Sequence, residues 1–175
     1  QLEDNVSGQI GVTQGVLPLL RKARGRIVNI GSVAGRSALP IVGAYAASKH
    51  ALEALSDALR VELLPWGLHV ALIEPGVIAT PIWQTSIDTA ERTLATLPDS
   101  ARQYYGRIMD ALKLRAQGGT VRGLPAERVA QVVEHALFNK KPRTRYVVGR
   151  DARVRLLMQK LPDRWRDRVI ARRMG

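Results

Sequence analysis

The sequence predicts an α/β protein built around a parallel sheet, and three observations carry that expectation. Two short apolar, β-branched runs, Arg26-Ile27-Val28-Asn29-Ile30 and Leu68-His69-Val70-Ala71-Leu72-Ile73, are bounded by glycine and proline. Between them, residues 44–64 repeat apolar side chains at helical spacing. Strand, helix and strand at this length make a βαβ unit, whose strands run parallel with a right-handed crossover. A third run, Arg145-Tyr146-Val147-Val148-Gly149, adds another strand.

Each element has its own justification. Leu2, Val6, Ile10, Val16, Leu17 and Leu20 predict a helix over 2–22, with Pro18 near its end and Gly25 as its stop. The 26–30 run reads as a strand buried on both faces. Residues 33–42 read as loop. In the following helix, Leu52, Leu55, Leu59 and Leu63 form one stripe. Ala47, Ala51, Ala54 and Ala58 form a small-residue face suited to close packing. Pro65 stops that helix, and Glu74-Pro75-Gly76 ends the second strand.

Beyond Thr80-Pro81 come two amphipathic segments. The first carries Ile87, Ala90, Leu94 and Leu97. The second opens on Ser100-x-x-Gln103, a capping-box pattern, and closes at Gly118-Gly119. An insertion here, over 84–123, is expected to serve as a substrate lid. Pro125 suits the first turn of a further helix with Val129, Val132, Val133, Ala136 and Leu137 inward. The expected organisation is one domain over 1–150 and a basic amphipathic helical tail over 151–175.

Composition excludes several classes. With no cysteine there are no disulfides or thiolate metal sites, and His50, His69 and His135 lack metal-ligand spacing, so no metal is expected. No apolar run approaches the roughly 20 residues of a membrane-spanning helix, and no signal peptide is visible. A cytoplasmic setting is therefore expected. The net charge of +12 is concentrated: residues 139–175 hold 13 Lys and Arg against 3 Asp. Such a tail suits a nucleic acid, an anionic membrane or an acidic partner, or is simply a solvated face. Aromatic content of 5% and the lack of any nucleic-acid motif argue against nucleic acid. Trp165, Leu156, Leu157 and Met158 among arginines permit peripheral membrane contact through 151–175.

The chemistry lies between Ser32 and Lys49. Tyr45 precedes Lys49 by four residues, so both side chains share one helix face. An ammonium near a phenol favours the phenolate, turning a weak acid–base group into a usable one. Ser32, at a strand's carboxyl end, is placed to hold a substrate oxygen against Tyr45. Asn5 is placed to extend a proton relay through water. Each signal alone is weak, since a Tyr-x-x-x-Lys is more often a solvated pair and Pro75-Gly76 more often a plain turn. Their joint placement at the carboxyl ends of successive strands gives them weight.

Together these motifs resemble the second half of a short-chain dehydrogenase/reductase. They run in order as Asn5-Val6-x-Gly8, Ile30-Gly31-Ser32-x-x-Gly35, Tyr45-x-x-x-Lys49 and Pro75-Gly76-x-x-x-Thr80. Gly31, where many relatives carry serine, is a mild departure. The resemblance implies a Rossmann-type doubly wound parallel sheet, here only its C-terminal strands and helices. It implies a catalytic tetrad of Asn5, Ser32, Tyr45 and Lys49. It also implies an NAD or NADP cofactor held by Tyr45, Lys49, Pro75, Gly76, Val77, Ile78 and Thr80. The expected activity interconverts an alcohol with a ketone or aldehyde.

Leu63-Leu64-Pro65-Trp66-Gly67-Leu68 and Ile73-Glu74-Pro75-Gly76 are similar to the retinol and hydroxysteroid branch. With Trp83, Leu94, Tyr104, Tyr105 and Met109 in the lid, a bulky apolar substrate is expected. The glycine-rich turn that binds pyrophosphate is not in this sequence, which begins at Gln1 within a helix-like pattern. A piece of a longer polypeptide, a homo-oligomer when complete, is expected; this segment alone is expected to bind cofactor poorly. The alternatives are a non-enzymatic binding module or an inactive relative.

Overall fold

A computed structural model of the chain describes residues 1–174, apart from the side chains of Arg115, Gly119, Thr120, Arg173 and Met174. The elements in chain order are α1 (Gly8–Ala23), β1 (Arg26–Ile30), α2 (Gly43–Glu62), β2 (His69–Pro75), β3 (Ile78–Ala79), α3 (Ile82–Thr96), α4 (Asp99–Arg122), β4 (Leu124–Pro125), α5 (Ala126–Phe138), β5 (Arg145–Val148), α6 (Arg150–Met158) and α7 (Asp163–Met174). They form two compact units, Gln1–Gly76 with Glu127–Leu157, and Val77–Ala126 with the chain from Met158 onward.

The first unit holds a three-stranded sheet of order β1-β2-β5, parallel throughout. Arg26 lies opposite His69 and Ile30 opposite Ile73, while Leu72 lies opposite Arg145. The βαβ expectation is met, with α2 as the connection. β2, the central strand, is buried from Val70 through Glu74, as a strand covered on both faces requires. β1 departs from that expectation. It pairs with β2 alone among the described residues, its burial alternates, and Ile30 is 45% exposed. Part of the core sits where Ile27, Leu63, Leu68 and Val70 meet Leu17, Leu20 and Leu59. Arg26 Nη1 donates to the carbonyls of Ala136 and Asn139, satisfying acceptors at the end of α5.

Several local boundaries differ from the sequence reading. A π-helical turn over Glu3–Ser7 precedes α1. Arg24, not Gly25, takes the left-handed conformation at the end of α1 (φ 49°). The 33–42 loop contains a 3₁₀ turn at Val33–Gly35 capped by Ser32, and another follows α2 at Leu64–Trp66. β2 continues through Pro75. Leu52 on α2 and Leu63 at its end are buried as expected, but Ala47, Ala54 and Ala58 are exposed and only Ala51 of the alanine face is half-buried.

In the second unit β3 and β4 pair in parallel, Ile78 with Leu124 and Ala79 with Pro125. Pro125 therefore lies in a strand rather than the helix. α4 begins at Asp99, ahead of Ser100-x-x-Gln103, and passes through Gly118-Gly119 to Arg122. α3 packs on α4, with an ion pair between Lys113 and Glu91, and Trp83 Nε1 donates to the Ile78 carbonyl at 2.6 Å.

One backbone approach in the first unit leaves no space for a side chain. A Cβ at Gly35 would lie 2.8 Å from the Lys49 carbonyl oxygen and 3.0 Å from Glu53 Cγ. Only glycine lets the turn after Ser32 rest on α2 this closely. Gly35→Ala is expected to destabilise the protein by about 1–3 kcal/mol, as overpacking does. Urea denaturation checks this, and an unchanged midpoint would refute the close contact.

Candidate active site

The turn that follows β1 and the first two turns of α2 meet at the carboxyl end of the sheet. Gly31 continues the ladder by donating its N–H to the Ile73 carbonyl at 2.8 Å, which carries Ser32 just past the last paired residue. Ser32 is half-buried and extended. Its Oγ accepts from the Ala34 N–H at 3.1 Å, so the hydroxyl proton remains available to donate outward.

Tyr45 and Lys49 lie on α2 and both are half-buried. Lys49 Nζ donates to the Ile30 carbonyl at 3.1 Å and lies 6.0 Å from the centroid of the Tyr45 ring. The bond fixes the ammonium beside the last residue of β1, two positions before Ser32, and leaves two of its three donors for other partners. Burial lowers the Lys49 pKa.

Asn5 reaches the same helix from the π-helical turn. Its Nδ2 donates to Ser48 Oγ at 3.1 Å, and Ser48 Oγ donates to the Tyr45 carbonyl at 2.8 Å. Asn5 is thus joined to the Tyr45–Lys49 turn through a serine that sequence reasoning passed over. No bond joins Ser32 directly to Tyr45 or Lys49 among the described residues. Pro75 and Gly76 close β2, and the Gly76 N–H donates to the Val148 carbonyl at 2.8 Å. A Cβ on Gly76 would lie 2.2 Å from an Asp151 carboxylate oxygen, so the Asp151 side chain would have to shift to admit one. Val77, Ile78 and Thr80 belong to the second unit.

A charged network beneath these segments was not anticipated. Glu74 on β2 is fully buried. Its carboxylate accepts from Arg145 Nη1 at 2.8 Å and from Arg36 Nη1 at 3.2 Å. Arg145 also pairs with Glu53 and, at 2.7 Å, with Asp57, both on α2. Arg36 follows the 3₁₀ turn capped by Ser32. The network thus ties the Ser32 loop to the end of β2, to α2 and to β5. Burial raises the Glu53 pKa against the pull of Arg145. Asp57 is lowered by its hydrogen bond from Arg60 and then by Arg145. Arg145 is itself partly desolvated, but hydrogen bonds to Glu53 and Glu74 hold its proton more firmly than usual. The available signal was Glu74 itself, a carboxylate inside an apolar strand, which demands a buried cation.

A family model for short chain dehydrogenase matches residues 2–91, just over half the chain. The chain belongs to the short-chain dehydrogenase family. Mouse retinol dehydrogenase 5 is 42% identical over 160 residues, covering 87% of this chain and 49% of its own. The uncharacterized oxidoreductase YusZ of Bacillus subtilis is 39% identical over 163 residues, covering 92% of this chain and 56% of its own. The chain spans about half the length of these short-chain dehydrogenase relatives. A short chain dehydrogenase from Burkholderia cenocepacia, solved with NADP, superposes over 100% of this chain and 60% of its own. Its TM-score is 0.69 at 19% identity, a likeness of fold alone. A 3-oxoacyl-[acyl-carrier protein] reductase from Brucella melitensis, solved with NAD, gives a TM-score of 0.56 at 26% identity over 82% of this chain and 46% of its own. The Rossmann-type expectation, here the C-terminal part of the sheet, is met.

The network gives a pH signature. Glu53 binds its proton more tightly folded than unfolded. Above about pH 4.3, the unfolded value, its contribution to stability falls until pH passes its raised native value. Asp57 acts oppositely and lower, its contribution being lost as pH falls through its depressed value. Glu53→Gln is expected to remove the fall above about pH 4.3, a slope of at most about 1.4 kcal/mol per pH unit. Urea midpoints across pH 4 to 7 read it. Parallel curves for variant and parent would refute the assignment.

Proposed function

We propose that the full-length protein carrying this chain is an NAD(P)-dependent oxidoreductase that interconverts a bulky apolar alcohol with its ketone or aldehyde. The observation that carries the reading is the Lys49 ammonium, bonded to the Ile30 carbonyl and one helical turn from Tyr45, beside the strand end that leads into Ser32. This donor set fits a nicotinamide ribose: a half-buried ammonium with unused donors and a neighbouring phenol both suit vicinal hydroxyls. The bound nicotinamide would supply the acceptor or donor of hydride.

The chain's own residues handle position and protons. Ser32 donates its hydroxyl proton to the substrate oxygen and holds it toward Tyr45. The Tyr45 phenolate takes the proton of an alcohol as its carbon gives up hydride, and the phenol returns a proton to the oxygen in reduction. Lys49 would hold the ribose beside Tyr45. Asn5 extends a water relay that carries the proton away. Pro75 and Gly76, with Val77, Ile78 and Thr80 next along the chain, are the residues that would hold the nicotinamide and phosphate side of the cofactor. The names of the mouse retinol dehydrogenase and of human 17-beta-hydroxysteroid dehydrogenase type 6, 36% identical over 176 residues, support an apolar alcohol as substrate.

Tyr45→Phe in the full-length protein is expected to lower turnover by at least about 10²–10⁴-fold, the usual share of general acid–base catalysis. NAD(P)H affinity, followed by cofactor fluorescence, should change little. Full turnover in this variant would sink the role of Tyr45.

A second, compatible role rests on α7, where Arg164, Arg168 and Arg172 are exposed along one helix ridge and Trp165 is 64% exposed beside them. No described helix is long and apolar enough to cross a membrane. Arginines flanked by an exposed indole suit the surface of an anionic bilayer. Sedimentation with phosphatidylserine vesicles is expected to carry down the parent and not the Arg164→Glu, Arg168→Glu, Arg172→Glu variant. Equal sedimentation of the two would eliminate this contact.

A further inference from the structure

The sequence reading assigns α6 to a basic tail, yet the helix belongs to the sheet unit through Leu157, and its Ala152 has no exposed surface. Asp151 and Arg155, one turn apart, share a face of α6. The Asp151 carboxylate lies against Gly76 at the end of β2. Arg155 is half-buried, and its Nη2 donates to the Ser37 carbonyl, 118 residues away in sequence. Ser37 is itself only 3% exposed. From Ser32 to Arg36 the chain forms one compact turn. Gly35 and Arg36 donate their N–H groups to the Ser32 and Val33 carbonyls at 2.8 and 3.1 Å, and Val33, Ala34 and Gly35 are buried. Past Ser37 that packing ends. Residues 38–42 form no helix or strand, and Ser37 is the last buried residue ahead of Ala46. Backbone with so few packed side chains opens readily. The Arg155 bond thus falls at the junction between a packed turn and an open stretch.

We propose that Arg155 is a positioning residue: its bond to the Ser37 carbonyl closes the Ser32 turn on its downstream side and so holds the Ser32 hydroxyl at the end of the sheet. The inference rests on the oxidoreductase reading given above, in which Ser32 meets the substrate oxygen. Arg36, bonded to Glu74, ties the same turn to β2, and Arg155 ties it to α6. Arg155 touches neither substrate nor cofactor in this scheme; it acts through Ser32.

The test compares Arg155→Met, Arg155→Lys and Arg153→Met in the full-length protein, with kcat expressed per cofactor-binding site from fluorescence titration. Arg155→Met is expected to lower kcat by about tenfold, the factor that one hydrogen bond from a charged donor amounts to. KM for NAD(P) should shift by less than about twofold, because Lys49 is untouched. Arg155→Lys keeps an ionised donor and should recover most of the loss. Arg153 is exposed on the same helix, so Arg153→Met removes an equal charge and should leave kcat unchanged. In a Ser32→Ala background the Arg155→Met loss should vanish. An arginine that merely supports folding predicts otherwise, with fewer cofactor-binding sites and the same turnover at each.

A readout independent of turnover comes from hydrogen exchange in the cofactor-free full-length protein. The backbone amide protons of Gly35 and Arg36 should exchange slowly in the parent and faster in Arg155→Met. Undiminished kcat per site in Arg155→Met, the same loss in Arg155→Lys or Arg153→Met, equal losses in the parent and Ser32→Ala backgrounds, or unchanged exchange would each overturn the proposal. Ser32→Ala assayed alone separates the two questions, since full turnover there removes the role of Ser32 and leaves exchange at Gly35 and Arg36 to decide whether Arg155 holds the turn.

Discussion

Arg145 brings one guanidinium to three carboxylates, those of Glu53, Asp57 and Glu74, and the arrangement of the first unit depends on it. Glu74 has no exposed surface. An unpaired carboxylate in that position would be penalised by several kcal/mol, so β2 is able to bury it only with Arg145 and Arg36 in place. Such a network adds little net stability beyond what an apolar replacement would give. Its contribution is geometric. It decides which turn of α2 faces β5, and through Arg36 it draws the loop after Ser32 onto the end of β2. Tyr45 and Lys49 stand on the same helix, two turns and one turn ahead of Glu53, and inherit their placement from it.

The ammonium of Lys49 continues that logic at the surface of the sheet. Its bond to the Ile30 carbonyl joins the helix to the end of β1 at a point where the strand ladder is finishing. Gly35 makes the matching contact from the other side, resting its backbone on the Lys49 carbonyl. One close backbone approach and one charged anchor therefore locate the Ser32 turn without any direct bond between Ser32 and Tyr45. A substrate oxygen bridging the two hydroxyls would complete a frame whose supports are already in place.

Much of this was legible in the sequence because periodicity and punctuation are local. The apolar runs of β1, β2 and β5, the helical spacing of Leu52 and Leu63, and the Tyr45–Lys49 repeat all follow from short-range pattern. What escaped was long-range or subtle. The Arg145 network joins residues 71 to 92 positions apart, and no window along the chain contains both partners. The β3–β4 pair links two-residue strands too short for any pattern. The extent of α4 was misjudged because Gly118-Gly119 reads as a stop, yet the helix runs on to Arg122. Ser48 was invisible since its partner, Asn5, comes from another element.

The π-helical turn at Glu3–Ser7 has a consequence that concerns length rather than residue type. Such a turn holds one residue more than a regular helix would use. Removing a single residue between Asn5 and Gly8 would return the turn to ordinary winding and change the height and angle at which Asn5 meets α2, leaving α1 from Gly8 onward untouched. An asparagine would still be present in the sequence, but its distance to Ser48 would not be the same. In relatives of this chain, then, an aligned asparagine does not guarantee the same contact; the spacing to the helix that follows has to be counted as well.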